Sequence, residues 1–214
     1  MNYSEINIFK GLTEYEIKNL LSSTETEIKT FKKDEYVFRE GEVSNDFYYL
    51  IEGEIIVFQI DNYGNRFIFQ KIEEKTGFGE VYAFLNEPFD FDGVCERESK
   101  VLIIKNFKKL FENSNEQFFK NYINFISNKC LNLSRKNQIT SKKTLRQKIC
   151  KFILDKEESG SLTLTMNREE LADYISTTRP SLSRELSKMA SENIIEIQGK
   201  EIKILDIEKI RSEI

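Results

Sequence analysis

The stretch TMNREELADYISTTRPSLSRELSKMASENIIEIQGKEIKI, residues 165–204, decides how the C-terminal part of this chain folds. Asn167 with Glu170 three positions on is a capping-box pattern, and Leu171, Ala172 and Ile175 then recur at helical spacing. The spacing predicts a first helix that stops near Ser176. Thr177 and Thr178 supply a turn and a second N-cap, and Pro180 falls in the first turn of the next helix, where its missing N–H has no partner to lose. In that second helix Leu182, Leu186 and Met189 fall on one inward face. Pro180, Ser183, Arg184 and Ser187 then point the other way, and Arg179 projects at the N-terminal end. After Asn193 the pattern alternates, with Ile195 and Ile197, a turn at Gly199 and Lys200, then Ile202 and Ile204, as in a two-stranded hairpin.

A helix pair with a short turn also occurs in ordinary bundles. Helix, turn, helix and wing in that order is the winged variant of a DNA-binding module, and a short helix offering Arg and Ser from its N-terminal half suits a major groove, the arginine fork matching guanine O6 and N7. The expected DNA-contacting residues are Thr178, Arg179, Pro180, Ser181, Ser183, Arg184 and Lys188, with Lys200 in the wing. Double-stranded DNA is the first partner to expect.

The 214 residues, 39% of them hydrophobic, are enough for one good core or two small ones, and two domains is the expectation. No apolar run is long enough to span a bilayer, and Met1–Lys10 lacks a basic region followed by an apolar one, so no membrane partner and a cytoplasmic location are expected. Cys95, Cys130 and Cys150 are isolated and read as free, buried thiols, with a thiol switch the open alternative. The chain contains no histidine, which disfavours zinc hydrolysis, Ser-His-Asp or Cys-His catalysis and histidine-ligated haem or iron. No enzyme activity, metal or cofactor is expected. The net charge of −4 is uneven: residues 1–116 hold 14 basic against 23 acidic residues, whereas residues 117–154 hold nine basic and no acidic ones. This asymmetry predicts an acidic sensor half and a basic binding half.

Toward the N-terminus, Thr13 with Glu16 caps a helix, and the region from about Thr30 to Ile104 reads as short strands punctuated by Gly41, Gly53, Gly64, Gly77 and Gly79, favouring a small β-barrel or roll with an aromatic core. Asp61–Asn65 reads as a hairpin turn. From Phe107 the periodicity is helical, and Phe119, Ile123, Ile126, Cys130 and Leu133 alternate spacings of four and three, with Asn137 at the next such position. That is a coiled-coil seam with a polar residue near one end, and it predicts a homodimer. A new helix follows near Ser141, with Leu145, Ile149, Phe152 and Ile153 inward. The expected fold class is α+β: a jelly-roll-like β-roll sensor domain over residues 1–106, a dimerisation helix over 107–139 and a winged helix-turn-helix over 140–214.

Taken together, the motifs Phe38-Arg39-Glu40-Gly41-Glu42, Tyr48-Tyr49-Leu50-Ile51-Glu52-Gly53-Glu54, Gly77-Phe78-Gly79-Glu80, Glu170-Leu171-Ala172-Asp173-Tyr174 and Thr178–Leu186 resemble the Crp/Fnr family of bacterial transcription regulators, over about residues 8–208. The resemblance implies a β-roll sensor, a dimer helix, a winged helix-turn-helix and a palindromic operator, with RNA polymerase as a further partner if the protein activates. It places Arg179, Ser183 and Arg184 at base-contacting positions and puts Pro180 where many members have a glutamate, so a different half-site is expected. Lys142, Lys143, Lys188 and Lys200 would then contribute phosphate contacts.

Gly77–Glu80 looks like the family's phosphate-binding cassette. Cyclic-AMP-responsive members hold the phosphate with an arginine about ten residues on, where this chain has Asp90, a charge that opposes a phosphate. Arg97, on the following strand, is the remaining route to a nucleotide. Residues 1–94 contain no cysteine, so a cluster ligated there is excluded. The segment containing Phe78, Gly79, Glu80, Val81, Phe89, Asp90 and Phe91 fits a small organic or lipid-like effector, or none. The alternatives left open are a cyclic-nucleotide-responsive regulator, a ligand-binding module acting through protein contacts, and an enzyme on a cupin-like roll.

Overall fold

The computed structural model describes residues 2–60, 64 and 66–214. The expected hairpin turn at Asp61–Asn65 lies, Gly64 apart, outside the described residues. Packing divides the chain into two compact units, residues 1–126 and 127–214.

In the first unit, α1 (Glu14–Leu21) starts as its sequence requires: Thr13 Oγ1 accepts from the Glu16 N–H, and Glu16 returns a carboxylate oxygen to the Thr13 N–H at 2.8 Å. Among the described residues eight strands follow: β1 (Thr26–Phe31), β2 (Tyr36–Phe38), β3 (Phe47–Glu52), β4 (Ile55–Ile60), β5 (Arg66–Ile72), β6 (Thr76–Phe78), β7 (Asp92–Cys95) and β8 (Ser99–Ile104), with α2 (Glu80–Leu85) between β6 and β7. They form two antiparallel four-stranded sheets of order β1-β8-β3-β6 and β2-β7-β4-β5. The double run Phe47–Phe58 supplies one central strand to each sheet, β3 and β4, and Gly53 lies between them.

The inward sides close over Phe31, Phe38, Tyr48, Leu50, Ile55, Val57, Phe78, Phe89 and Val101. A second cluster holds Ile6, Ile8, Phe9, Ile17 and Leu20 from the N-terminal helical turns and α1, Phe47, Leu102 and Ile104 from the strands, and Phe118 and Tyr122. The aromatic residues are therefore mostly core, as their density in the strands suggests.

The helix expected from Phe107 begins later. Phe107–Phe111 forms a 3-10 turn, and α3 runs from Glu116 to Thr140. Phe118 and Tyr122 are buried; of the seam residues Phe119 (52% exposed), Ile123 (48%), Leu133 (68%) and Cys130 are left outward, Ile126 is half-buried against the core, and Leu131, off the seam, is also exposed. Cys130 thereby departs from the buried thiol expected of it, because it lies on the outward side of α3, whereas Cys95 and Cys150 are buried.

The second unit holds α4 (Leu145–Lys156), β9 (Ser161–Thr163), α5 (Arg168–Tyr174), α6 (Arg179–Ser191), β10 (Ile195–Gln198), β11 (Glu201–Ile204) and α7 (Ile207–Ser212). Ile149, Phe152 and Ile153 of α4 join Leu171, Leu182, Leu186, Met189, Ile195 and Ile202 in one core.

Gly79 is the glycine on which the cassette depends. Its φ of +81° is one that side chains rarely adopt, and an added Cβ would lie 2.7 Å from Tyr48 Cδ2, pushing that ring off Phe78, on which it stacks at 5.3 Å. Gly79→Ala is expected to lower stability by about 1–3 kcal/mol in urea unfolding; an unchanged midpoint would show that the cassette tolerates another backbone conformation.

Candidate nucleic-acid interface

The exposed face of the second unit is built from two capped helices. Asn167 Oδ1 accepts from the N–H groups of Glu169 (2.9 Å) and Glu170 (3.0 Å), and Glu170 reaches back to the Asn167 N–H. α5 ends at Tyr174, where Ser176 takes φ +54° and the Thr177 N–H closes on the Ala172 carbonyl at 2.9 Å. Thr178 caps α6, its Oγ1 accepting from the Ser181 N–H at 3.4 Å and donating to Ser181 Oγ at 2.9 Å, with Pro180 in the first turn.

Leu182, Leu186 and Met189 are buried, and Arg179, Pro180, Arg184, Ser187 and Lys188 are exposed, with Ser181 and Ser183 half-buried. Arg184 Nη2 donates to Ser181 Oγ at 3.4 Å. Among the described residues Arg179 makes only a loose contact with Glu169 at 3.9 Å, both groups 63% exposed, so its fork is available to another partner.

The hairpin pairs Ile195 with Ile204 and Ile197 with Ile202, turning at Gly199 (φ +61°) and Lys200. Sequence reading missed two elements here. β9 pairs with β11 as a third strand, and the Leu164 N–H bonds the Lys200 carbonyl at 2.8 Å, which ties down the wing turn. α7 follows the hairpin, capped by Asp206.

Two arginines outside the expected set also bear on this face. Arg168, the first residue of α5, lines an open groove of about 770 Å³ with Ser183, Ser187, Asn193, Glu196 and Leu205. Its Nη1 is buried and makes no hydrogen bond within the described residues, and that burial pulls its pKa below the ordinary arginine value. Arg146 on α4 donates to Glu185 of α6 and to Glu192, its C-cap. Nothing in local spacing marks either role.

The cassette residues part company in the fold. Phe78, Glu80 and Phe89 are buried, Phe91 and Gly79 half-buried, and Val81 and Asp90 exposed. Phe89 stacks on Phe38 at 4.4 Å and packs on Tyr82 at 4.8 Å, so aromatic rings crowd this part of the roll. Tyr82 donates to Asp90 Oδ2 at 3.1 Å, and burial first, then Asp90, pushes its hydroxyl up to about 12. Residues 77–92 contain no basic side chain. Arg97, the remaining route to a nucleotide phosphate, is engaged elsewhere, with Glu74 at 2.9 Å and the Gly53 carbonyl at 3.2 Å. No helix among the described residues is long and apolar enough to cross a membrane.

A β-roll followed by a long helix and a winged helix-turn-helix is the architecture of a DNA-binding transcription regulator with a cyclic-nucleotide-binding-like domain. Residues 28–114 match the cyclic nucleotide-binding domain family and residues 147–213 the Crp-like helix-turn-helix domain family, together well over half of the chain. The transcriptional activator protein anr of Pseudomonas aeruginosa is 23% identical over 194 residues, 83% of this chain and 76% of that protein. The probable transcriptional regulator flp of Lacticaseibacillus casei is 32% identical over 68 residues, 30% of this chain and 31% of that one. Among solved structures, FixK2 from Bradyrhizobium japonicum shares the fold with a TM-score of 0.57 at 17% identity, covering 88% of this chain and 96% of that one. The chain belongs to the Crp/Fnr family of transcription regulators.

One pH dependence follows from the Arg146 cluster. Hydrogen bonds from Arg146 hold the Glu192 carboxyl below the usual carboxylate range. A carboxyl with a folded pKa below its unfolded one stabilises the protein above the unfolded value, near about 4.3, and that contribution is lost as pH falls through the folded value. In Glu192→Gln, the stability difference between about pH 7 and about pH 3.5 in urea unfolding should be smaller than in the wild type. An equal difference would mean that the pair contributes nothing.

Proposed function

We propose that the protein is a homodimeric, sequence-specific regulator in which α6 enters the major groove. The observation that carries this reading is the two-sidedness of α6, one face sealed in the core by Leu182, Leu186 and Met189 and the opposite one presenting Arg184, with Arg179 exposed at the N-terminal end. Arg179, Ser183 and Arg184 read base edges; Thr178, Pro180 and Ser181 shape the approach of the helix end; Lys188, and Lys200 at the wing turn, meet phosphates. Lys142 and Lys143, just before the Thr144 cap of α4, add phosphate contacts, and Arg168 adds one from its groove.

The dimer forms along α3 through Phe119, Ile123, Ile126, Cys130 and Leu133. The support for this is that Phe119, Ile123 and Leu133, large apolar side chains on the coiled-coil spacing, are left outward. Two copies of α6 then meet successive major grooves of a palindrome about 34 Å apart. Some relatives are named transcriptional activators, and an activating role adds RNA polymerase to the partners.

The roll serves as the sensor, and its effector is not cyclic AMP. An acidic Asp90 and a cassette without a basic residue leave a cyclic phosphate no charged donor. An effector shifts the equilibrium only by its unequal affinity for the two states, typically about 1–3 kcal/mol.

Arg179→Ala combined with Arg184→Ala should abolish discrimination between operator and random duplex in fluorescence anisotropy, each lost base contact costing about 1–3 kcal/mol. By contrast, Lys200→Ala or Arg168→Ala should weaken both duplexes alike and lower the logarithmic salt slope by about 0.9. Retained operator preference in the double variant would remove α6 from the reading role.

A further inference from the structure

Arg146 spends its whole guanidinium on carboxylates. Nε donates to Glu185 Oε1 at 2.6 Å; Nη1 and Nη2 grip both oxygens of Glu192 at 2.7 and 3.0 Å; and Nη1 lies 3.6 Å from Glu213, next to α7. Its side chain is only 16% exposed, and Lys209 approaches Glu192 from α7 at 3.9 Å. Glu185 lies within α6 and Glu192 is its C-cap. The two anchor points are therefore seven residues apart, two turns or about 10.5 Å along the axis.

The apolar contacts of α6 are non-directional and by themselves permit small slides and rolls of the helix. A planar fork bonded at two points of the same helix does not, because each N–H···O bond is directional and both must hold at once. Arg184, one of the proposed base readers, immediately precedes Glu185.

We infer that Arg146 is a positioning residue for DNA recognition: by clamping Glu185 and Glu192 it sets the roll and axial position of α6, and so the aim of Arg179 and Arg184, without touching DNA itself. This rests on the reading of α6 as the recognition helix. Lysine is no substitute, since a point charge cannot hold two carboxylates in a fixed plane.

The test uses the full-length protein and its Arg146→Met, Arg146→Lys and Glu185→Gln variants, each binding the operator recovered by selection and a random duplex of equal length. Anisotropy is read at one salt concentration, well below every unfolding midpoint. A clamp that only held the unit together would lower the midpoint and leave the operator-to-random ratio in place.

Arg146→Met and Arg146→Lys should lose about tenfold or more in operator affinity, the scale of one mismatched base pair, and less than about threefold on random DNA. Glu185→Gln should shift the ratio in the same direction, and the double variant Arg146→Met/Glu185→Gln should fall no further than Arg146→Met alone. A ratio kept within about twofold in folded variants overturns the proposal. If Arg146→Met does not fold, Arg146→Lys and Glu185→Gln decide by the same ratio. A wild type that shows no operator preference refutes the reading of α6 itself, and the proposal with it.

Discussion

The buried stripe Leu182, Leu186 and Met189 is the constraint from which the rest of the C-terminal unit follows. It packs α6 against α4, α5 and β10, and a helix turns about 100° per residue, so a slip of one position would swing Arg184 off its outward direction. Burial of that stripe decides which side chains face outward. The Thr178 cap decides where the helix starts, and the Arg146 clamp adds the direction that apolar packing lacks. The same logic governs α3, where Phe118 and Tyr122 turn into the first unit and leave Phe119 and Ile123 outward, a seam complete only with a second copy in the proposed dimer.

Where a structural signal is local, the sequence is readable. The boxes Thr13–Glu16 and Asn167–Glu170, the Thr178 cap and the alternation of Ile195, Ile197, Ile202 and Ile204 all appear where their spacing places them. β9 was not legible because three residues with a single buried side chain, Leu162, carry no period; only its pairing with β11 makes it a strand. α7 is a helix of six residues that relies on the Asp206 cap and the buried Ile210. The start of α3 was misplaced because Phe107–Leu110 has helix-like apolar spacing but folds as a 3-10 turn.

The candidate site divides along the same line. The outward setting of Arg179 and Arg184 was legible because helical period and caps decide which way they point. The surroundings of Arg146 and Arg168 were not, since the first bonds carboxylates 39 and 46 positions away and the second lines a groove shared with α6 and the wing. Of the β-roll half the sequence alone shows an absence, no basic residue in positions 77–92. Its crowded rings and the Tyr82–Asp90 hydrogen bond emerge only from packing.

Selection of bound sequences from a random DNA pool by the purified protein, without and with cyclic AMP, tests the central claim most directly. The account predicts a palindrome whose half-sites are centred about one helical turn apart, about 34 Å, recovered with or without cyclic AMP. Failure to enrich any sequence, or enrichment only when cyclic AMP is present, would contradict it.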